Sequence, residues 1–312
     1  MISKIFYAFI IMQSSFLYVT AQNKLISDDA DLSEITPEKS SFKISTSYLS
    51  NSIYQGRQSE DLLSLINTGV GYYHKSGFFV SGSFTYIPNV GYQQIDRKDI
   101  SIGYNYNGEK LGISTYLAKY IYNDSSSQIN AGIQSSAGVG INYNFDYVTV
   151  GAATDFNFAS KSDIVFNANL SHSFSLANDN LLITPMINMN AGTENFYQSY
   201  FSPKKKGGTS GSTRATIKAA KHRRNNNTAS PNTTNTNNTA ASEVTILNSS
   251  AFKIMDYEIG IPIEYRLNKF LLSFIPTYVL PVNPSTISNN NIITTEVLKN
   301  AFVVELGVSF TF

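Results

Sequence analysis

Asn300-Ala301-Phe302-Val303-Val304-Glu305-Leu306-Gly307-Val308-Ser309-Phe310-Thr311-Phe312 decides how the rest of the sequence is read. Every second residue places Phe302, Val304, Leu306, Val308, Phe310 and Phe312 on one face, and Val303, Glu305, Gly307, Ser309 and Thr311 on the other. A period of two residues is the signature of a strand. The apolar row is unbroken over the whole stretch, and lipid is its natural solvent. A lipid-facing strand cannot stand alone, because each backbone N–H and C=O must find a partner where water is absent.

Working outward, eleven further segments from Phe42 onward show the same alternation. Among their apolar rows are Phe42-Ile44-Thr46-Tyr48, Phe78-Val80-Gly82-Phe84-Tyr86, Val148-Val150-Ala152-Thr154-Phe156 and Tyr257-Ile259-Ile261-Ile263-Tyr265. Twelve is an even number, as single-chain outer-membrane barrels require. The joints also alternate in length. Those around 74–76, 107–109, 146, 175–180 and 268 are short, while 51–64, 88–98, 119–137, 157–163, 192–250 and 281–299 are longer. Such a pattern predicts an all-β fold, an antiparallel up-and-down transmembrane barrel of about twelve strands over residues 41–312, with short periplasmic turns and longer extracellular loops.

Tyr257 and Tyr265 flank three isoleucines and stand eight residues apart, roughly 27 Å along a strand. Together with Tyr278 and Phe312 they are candidates for the aromatic girdles at the two headgroup layers. Pro185, Pro262 and Pro276 run against strand pairing and mark candidate bulges.

Composition agrees. Charged residues make up 14 %, Tyr and Phe number 20 each, and there is no Trp or Cys. A soluble β-sandwich also favours aromatics, so composition alone leaves that alternative open. The absence of cysteine excludes a disulfide framework and thiolate metal sites, and it leaves the redox compartment unreadable. Near the N-terminus, Lys4, an apolar run over 5–19 and Val19-Thr20-Ala21 read as a secretory signal over residues 1–21. Residues 22–40 are polar and acidic and read as a flexible periplasmic leader. The expected location is the outer membrane of a Gram-negative bacterium.

The faces opposite the apolar rows are small and polar. Asn105, Asp155, Asn167, Asn169, Glu258, Glu264, Arg266 and Glu305 are the pore-lining candidates; Asp155, Glu258, Glu264 and Glu305, where unpaired, favour cations, with Arg266 and Lys43 offsetting part of that charge. Twelve strands fall between the eight-stranded barrels filled by side chains and the porins that leave a channel. A narrow water-filled pore for small polar solutes or ions is the first expectation. A barrel closed by the leader or by a folded-in loop is the alternative, with a structural or adhesive surface role.

The stretch 192–250 is a long loop. Over 203–239 it is rich in Asn, Thr, Ser and Gly and carries Lys204, Lys205, Lys206, Arg214, Lys218, Lys221, Arg223 and Arg224 with no acidic residue. Such a composition cannot bury a core, so disorder is expected. The basic cluster, above all Lys204, Lys205, Lys206, Arg223 and Arg224, reads either as a tether for anionic surface ligands such as lipopolysaccharide or as a solvated spacer. No aromatic is interleaved among these charges, so no specific nucleic-acid binding is expected.

Catalysis is a further class. His172 and Ser173 are adjacent, but His172 falls in register with Leu170 and Phe174, which reads as an interfacial histidine. No phosphate loop, dinucleotide fingerprint or metal-ligand spacing stands out. No catalytic residue, cofactor or metal is therefore expected, and an enzyme is the third reading.

Two resemblances enter here. The alternating C-terminal strand ending in Phe312 resembles the assembly signature of bacterial outer-membrane β-barrels, which implies recognition by the barrel-assembly machinery and contact with outer-membrane lipids. Ser47-Tyr48, Gly56-Arg57-Gln58 and the run from Gly71-Tyr72-Tyr73-His74 to Val80-Ser81-Gly82 resemble the opening of the TorF-type putative porins, over about 40 residues. That resemblance implies a porin-like barrel and assigns no functional residues. In this chain Gly56 precedes Arg57, the reverse of the family order.

Overall fold

A computed structural model describes residues 39–59, 62–88, 95–201, 244–289 and 292–312. The signal segment 1–21, the leader up to residue 38 and the basic stretch 203–242 lie outside the described residues.

β1 (Ser41–Leu49) is followed by a small hairpin of β2 (Ile53–Tyr54) and β3 (Arg57–Gln58), then by β4 (Leu65–Tyr73), β5 (Phe78–Tyr86), β6 (Ile95–Asn107), β7 (Leu111–Tyr122), β8 (Ser135–Asn144), β9 (Thr149–Phe158) and β10 (Asp163–Ser171). β11 (Phe174–Leu176) prolongs β10, and β12 (Leu181–Ile183) with β13 (Met186–Gly192) makes the ninth wall position. The helix α1 (Asn195–Phe201) and β14 (Val244–Leu247) precede β15 (Lys253–Gly260) and β16 (Ile263–Leu267), which form the tenth. β17 (Phe270–Pro281), the hairpin of β18 (Thr286–Asn289) and β19 (Ile292–Thr295), and β20 (Ala301–Thr311) complete the order.

All wall pairings are antiparallel, and β20 closes the ring. It pairs with β17 from Phe270↔Phe310 to Val279↔Ala301, and with β1 from Lys43↔Thr311 to Leu49↔Glu305. The result is a closed barrel of twelve strand positions. The quoted C-terminal stretch is thus the staple between the first strand and the eleventh, and Phe312 N–H donates to the Phe42 carbonyl at 2.8 Å.

The expected faces are the observed ones. Ile44, Val70, Ile102, Ile141, Ile187, Ile259, Leu272 and Val308 lie exposed on the outside. Their strand neighbours Asn67, Ser101, Asn105, Asn142, Asn188, Glu258 and Ser309 are buried inside. In water this arrangement would be inverted, since it exposes hydrocarbon and buries amides and carboxylates. In a bilayer it is the stable one, because closure leaves no strand edge unpaired. Aromatic contacts ring the periplasmic end: Phe42–Tyr72, Phe78–Tyr104, Tyr143–Phe145 and Phe270–Phe310 have centroids 4.6–5.0 Å apart.

The three prolines sit at one level of the wall. The strands break at Pro185 and Pro262, whereas Pro276 stays within β17. Each lacks a donor yet still accepts: His172 N–H donates to Pro185 O, Thr184 N–H to Pro262 O, and Ile261 N–H to Pro276 O, at 2.9–3.2 Å. The breaks are local, and the ladder resumes on both sides.

Candidate functional site

The interior is built from the faces opposite the lipid belt. Asn105, Asp155, Asn167, Asn169, Glu258 and Glu264 point inward and are almost inaccessible, while Arg266 and Glu305 point inward and are half-buried. Lys43, Ser45 and Ser47 are also half-buried on the inner face of β1. The charges fall into groups by height. Near the periplasmic end, Lys43 and Arg266 act electrostatically on Glu264. Nearer the extracellular end stand Asp155, Asp256 and Glu258, together with the ion pair of Arg97 Nε and Asp99 Oδ1 at 2.6 Å. The guanidinium of Arg97 also lies 5.6 Å from the centroids of both Tyr120 and Tyr122.

Glycines on this face do more than leave space. A Cβ at Gly138 would collide with the Tyr116 ring and the Asp155 carboxylate. The ring of β7 therefore lies flat across β8, and Tyr116 Oη donates to Asp155 Oδ1 of β9 at 2.6 Å. Bulk is laid along the wall rather than pushed into the bore. Tyr116→Phe should leave a buried carboxylate short of a donor and lower barrel stability by about 1–3 kcal/mol. A urea titration followed by tyrosine fluorescence measures this cleanly, as the chain has no tryptophan.

The extracellular mouth is crossed by loops that fold inward. The β2–β3 hairpin turns on Gln55 and Gly56, with φ of 52° and 66°, a two-residue turn with both central residues left-handed. At Gly56 a side chain would be strained, because φ is left-handed and a Cβ would meet Asp256 Cβ and Pro281 Cβ at 3.0 Å. The hairpin tip thus presses on the wall at β15 and β17. Tyr54, on the same hairpin, accepts at 2.8 Å from Asn157 Nδ2 of β9, so the hairpin crosses the bore.

Over it packs an apolar cluster of Tyr54, Ile129, Ile133, Phe196, Phe201, Val244, Ile246 and Met255, drawn from four separate stretches of chain. Tyr54 meets Phe196 edge-on at 4.7 Å. The stretch 192–250, expected to be one disordered loop, therefore has folded flanks. α1 and β14 supply apolar side chains to this plug, which offsets the cost of ordering them. Within those flanks the polar composition of 203–239 does not apply.

A buried ionic cluster ties the plug together. Arg57 Nε lies 3.1 Å from Glu296 Oε2, Arg57 Nη2 lies 3.6 Å from Glu194 Oε2, and Nη2 donates to the Asn283 carbonyl at 2.7 Å. Glu194 also accepts from Lys253 Nζ at 2.8 Å and from Ser285 Oγ at 2.7 Å. Tyr197 Oη donates to Glu296 Oε1 at 2.6 Å, and burial followed by the nearby Glu296 charge raises the Tyr197 phenol above its usual range. Two cations face two carboxylates, so the cluster is charge-balanced. In the sequence Arg57 stands within the Gly56-Arg57-Gln58 motif, and Glu194 and Glu296 carry no signature that sets them apart.

The remaining sequence candidates are easily placed. Tyr257, Tyr265, Tyr278 and Phe312 lie on the outer surface, and Tyr278 Oη accepts from Asn300 Nδ2 at 3.1 Å. His172 packs edge-on against Phe174 at 4.4 Å, and Ser173 Oγ bonds Thr184 Oγ1 at 3.0 Å, so each has its own partner. The basic cluster Lys204, Lys205, Lys206, Arg223 and Arg224 lies outside the described residues.

No protein-family model matches the chain, and no curated protein matches it in sequence. Among solved structures it is similar to the KdgM porin, at 8% identity and a TM-score of 0.45, covering 86% of this chain and 99% of that one. It is also similar to the NanC porin, at 8% identity and a TM-score of 0.43, covering 86% and 98%. An outer membrane channel from Pseudomonas putida F1 shows 10% identity and a TM-score of 0.45, covering 92% and 100%. The closed ring, its apolar outer belt and its polar interior make this chain a membrane-spanning β-barrel of the outer-membrane type.

Proposed function

We propose that this protein is a porin-like passive channel of the outer membrane for small polar solutes or ions, its extracellular mouth crossed by loops in the conformation described. The observation that supports it is a closed ring whose inner face carries amides, hydroxyls and carboxylates along its height, interspersed with buried apolar side chains such as Phe79, Val165, Ile275 and Val303. A barrel needing only to sit in lipid could fill that space with hydrocarbon at lower desolvation cost. Asn105, Asp155, Asn167, Asn169, Glu258, Glu264, Arg266 and Glu305 are its lining, and their acidic excess selects cations.

The plug core favours a second reading, a non-conducting structural or adhesive surface barrel. In both readings residues 1–21 direct export, β20 is the strand that the assembly machinery engages, and the outer belt meets lipid. The basic stretch 203–242 is then a cationic surface segment for anionic ligands such as lipopolysaccharide. No enzymatic role is proposed, since His172 and Ser173 are engaged apart from each other.

The experiment is conductance in planar bilayers, comparing the full mature chain with a variant lacking residues 203–242. Discrete steps with cation preference are expected. Silence from both proteins, each giving a heat-modifiable gel band, would contradict the channel and support the surface barrel.

A further inference from the structure

Directly beneath the plug, the barrel interior carries two carboxyl groups to which no Lys or Arg is ion-paired among the described residues. Asp256 and Glu258 are two apart on β15, share its inner face, and are 0% and 2% exposed. Two residues along a strand is about 7 Å, within reach of one hydrated ion. Register sets Asn190 opposite Asp256 and Asn188 opposite Glu258, with Asn167 and Asn169 of β10 next in the same two rows.

The rows are joined by amides. Asn190 Nδ2 donates to Asp256 Oδ1 at 2.6 Å, Asn188 Nδ2 to Glu258 Oε2 at 3.2 Å, and Asn167 Nδ2 to Asn190 Oδ1 at 2.9 Å. Two buried oxygens in this patch accept no hydrogen bond, Asp256 Oδ2 and Asn167 Oδ1. Arg57 is the cation that acts on Asp256, and it is already held by Glu194 and Glu296.

Two buried carboxylates among neutral amides are costly in their charged form, and either a proton or a bound cation relieves that cost. Every donor atom on offer is oxygen, which suits a hard cation. No group of three or more His, Cys, Asp and Glu side chains converges among the described residues, so a tightly caged structural metal is not what the patch is shaped for. Two carboxylates with amide support suit weak, exchangeable binding, which is what conduction requires.

We infer that Asp256 and Glu258, with Asn167, Asn188 and Asn190, form a hard-cation site below the extracellular plug, at which cations are selected over anions. The selecting role rests on the channel reading, whereas the binding itself does not. The test uses the full mature chain and a D256N/E258Q variant, whose near-isosteric changes preserve the packing, with folding checked by the heat-modifiable gel band.

Mn²⁺ titration followed by electron paramagnetic resonance should show one site in the parent, weakened at least about tenfold in the variant. Equal binding by both, or none by either, overturns the site. Reversal potentials in a KCl gradient, measured in the parent and in an R57A background, should show a cation preference that falls several-fold with D256N/E258Q. An unchanged preference overturns the selecting role. If no folded variant carries current, the channel reading falls and the Mn²⁺ titration alone decides the site.

Discussion

Arg57→Ala should unseat the β2–β3 hairpin and turn the parent's small, brief conductance steps into larger, longer-lived ones. Arg57 ties its hairpin to two other plug segments, through Glu194, Glu296 and the carbonyls of Val282 and Asn283. Its removal leaves one lysine to balance two buried carboxylates. Breaking a buried pair in this way costs about 3–5 kcal/mol, a large share of what so small a plug can muster.

The hairpin's other ties among the described residues are Tyr54 to Asn157, Ser59 to the Ser127 carbonyl, Ile53 against Val279 and Val303, and the apolar cluster around Tyr54. Arg57→Lys keeps the charge but not the planar fork, so it should fall between the two. Single-channel recording reads the effect, and proteolysis of the plug loops in reconstituted vesicles gives a second view. Identical conductance and identical digestion for Arg57→Ala and the parent would show that the ionic cluster does not hold the loops across the mouth.

Ile261→Arg should cost about 2–4 kcal/mol in unfolding from lipid, the penalty for a cation near the bilayer midplane. Ile261 is exposed on the outside and lies midway between the belt tyrosines Tyr257 and Tyr265. The control is Ser45→Lys, on the inner face of β1, where the ammonium can join an already polar bore. Urea unfolding from vesicles should separate the two by most of that penalty. Equal costs would mean that the outer face does not meet hydrocarbon.

Some of this architecture was legible because a period of two has only two phases. Once Phe302, Val304 and Leu306 faced lipid, Glu305 had to face inward, and the same logic placed Asp155, Asn167 and Glu258. Prolines 185, 262 and 276 read as candidate bulges; two of them interrupt their strands and Pro276 does not, and all three form one row that survives by accepting hydrogen bonds.

A folded-in loop stood among the alternatives, but the residues that build the plug were not legible, because they meet through contacts between stretches far apart in sequence with no periodic signature. Arg57, Glu194 and Glu296 each look like an ordinary loop charge until the fold unites them. Two signals were available. Gln55-Gly56 between Ile53-Tyr54 and Arg57-Gln58 is a hairpin turn, and Phe196-Tyr197 with Tyr200-Phe201 puts aromatics one helical turn apart in a loop that otherwise reads as polar. Interior fit was the other gap. Glycine on a bore-facing row suggests space, but at Gly138 it is room for the ring of a neighbouring strand.

The central claim, an apolar row of β20 facing lipid and a polar row facing the bore, can be tested by single-cysteine spin labelling, since the natural chain has no cysteine. Labels at Leu306 and Val308 should collide with oxygen, which concentrates in lipid. Labels at Glu305 and Ser309 should collide far less with oxygen and, where reachable, with a water-soluble nickel complex. A two-residue alternation in oxygen accessibility along β20 is the predicted result; uniform values, or alternation in the opposite phase, would contradict the barrel described here.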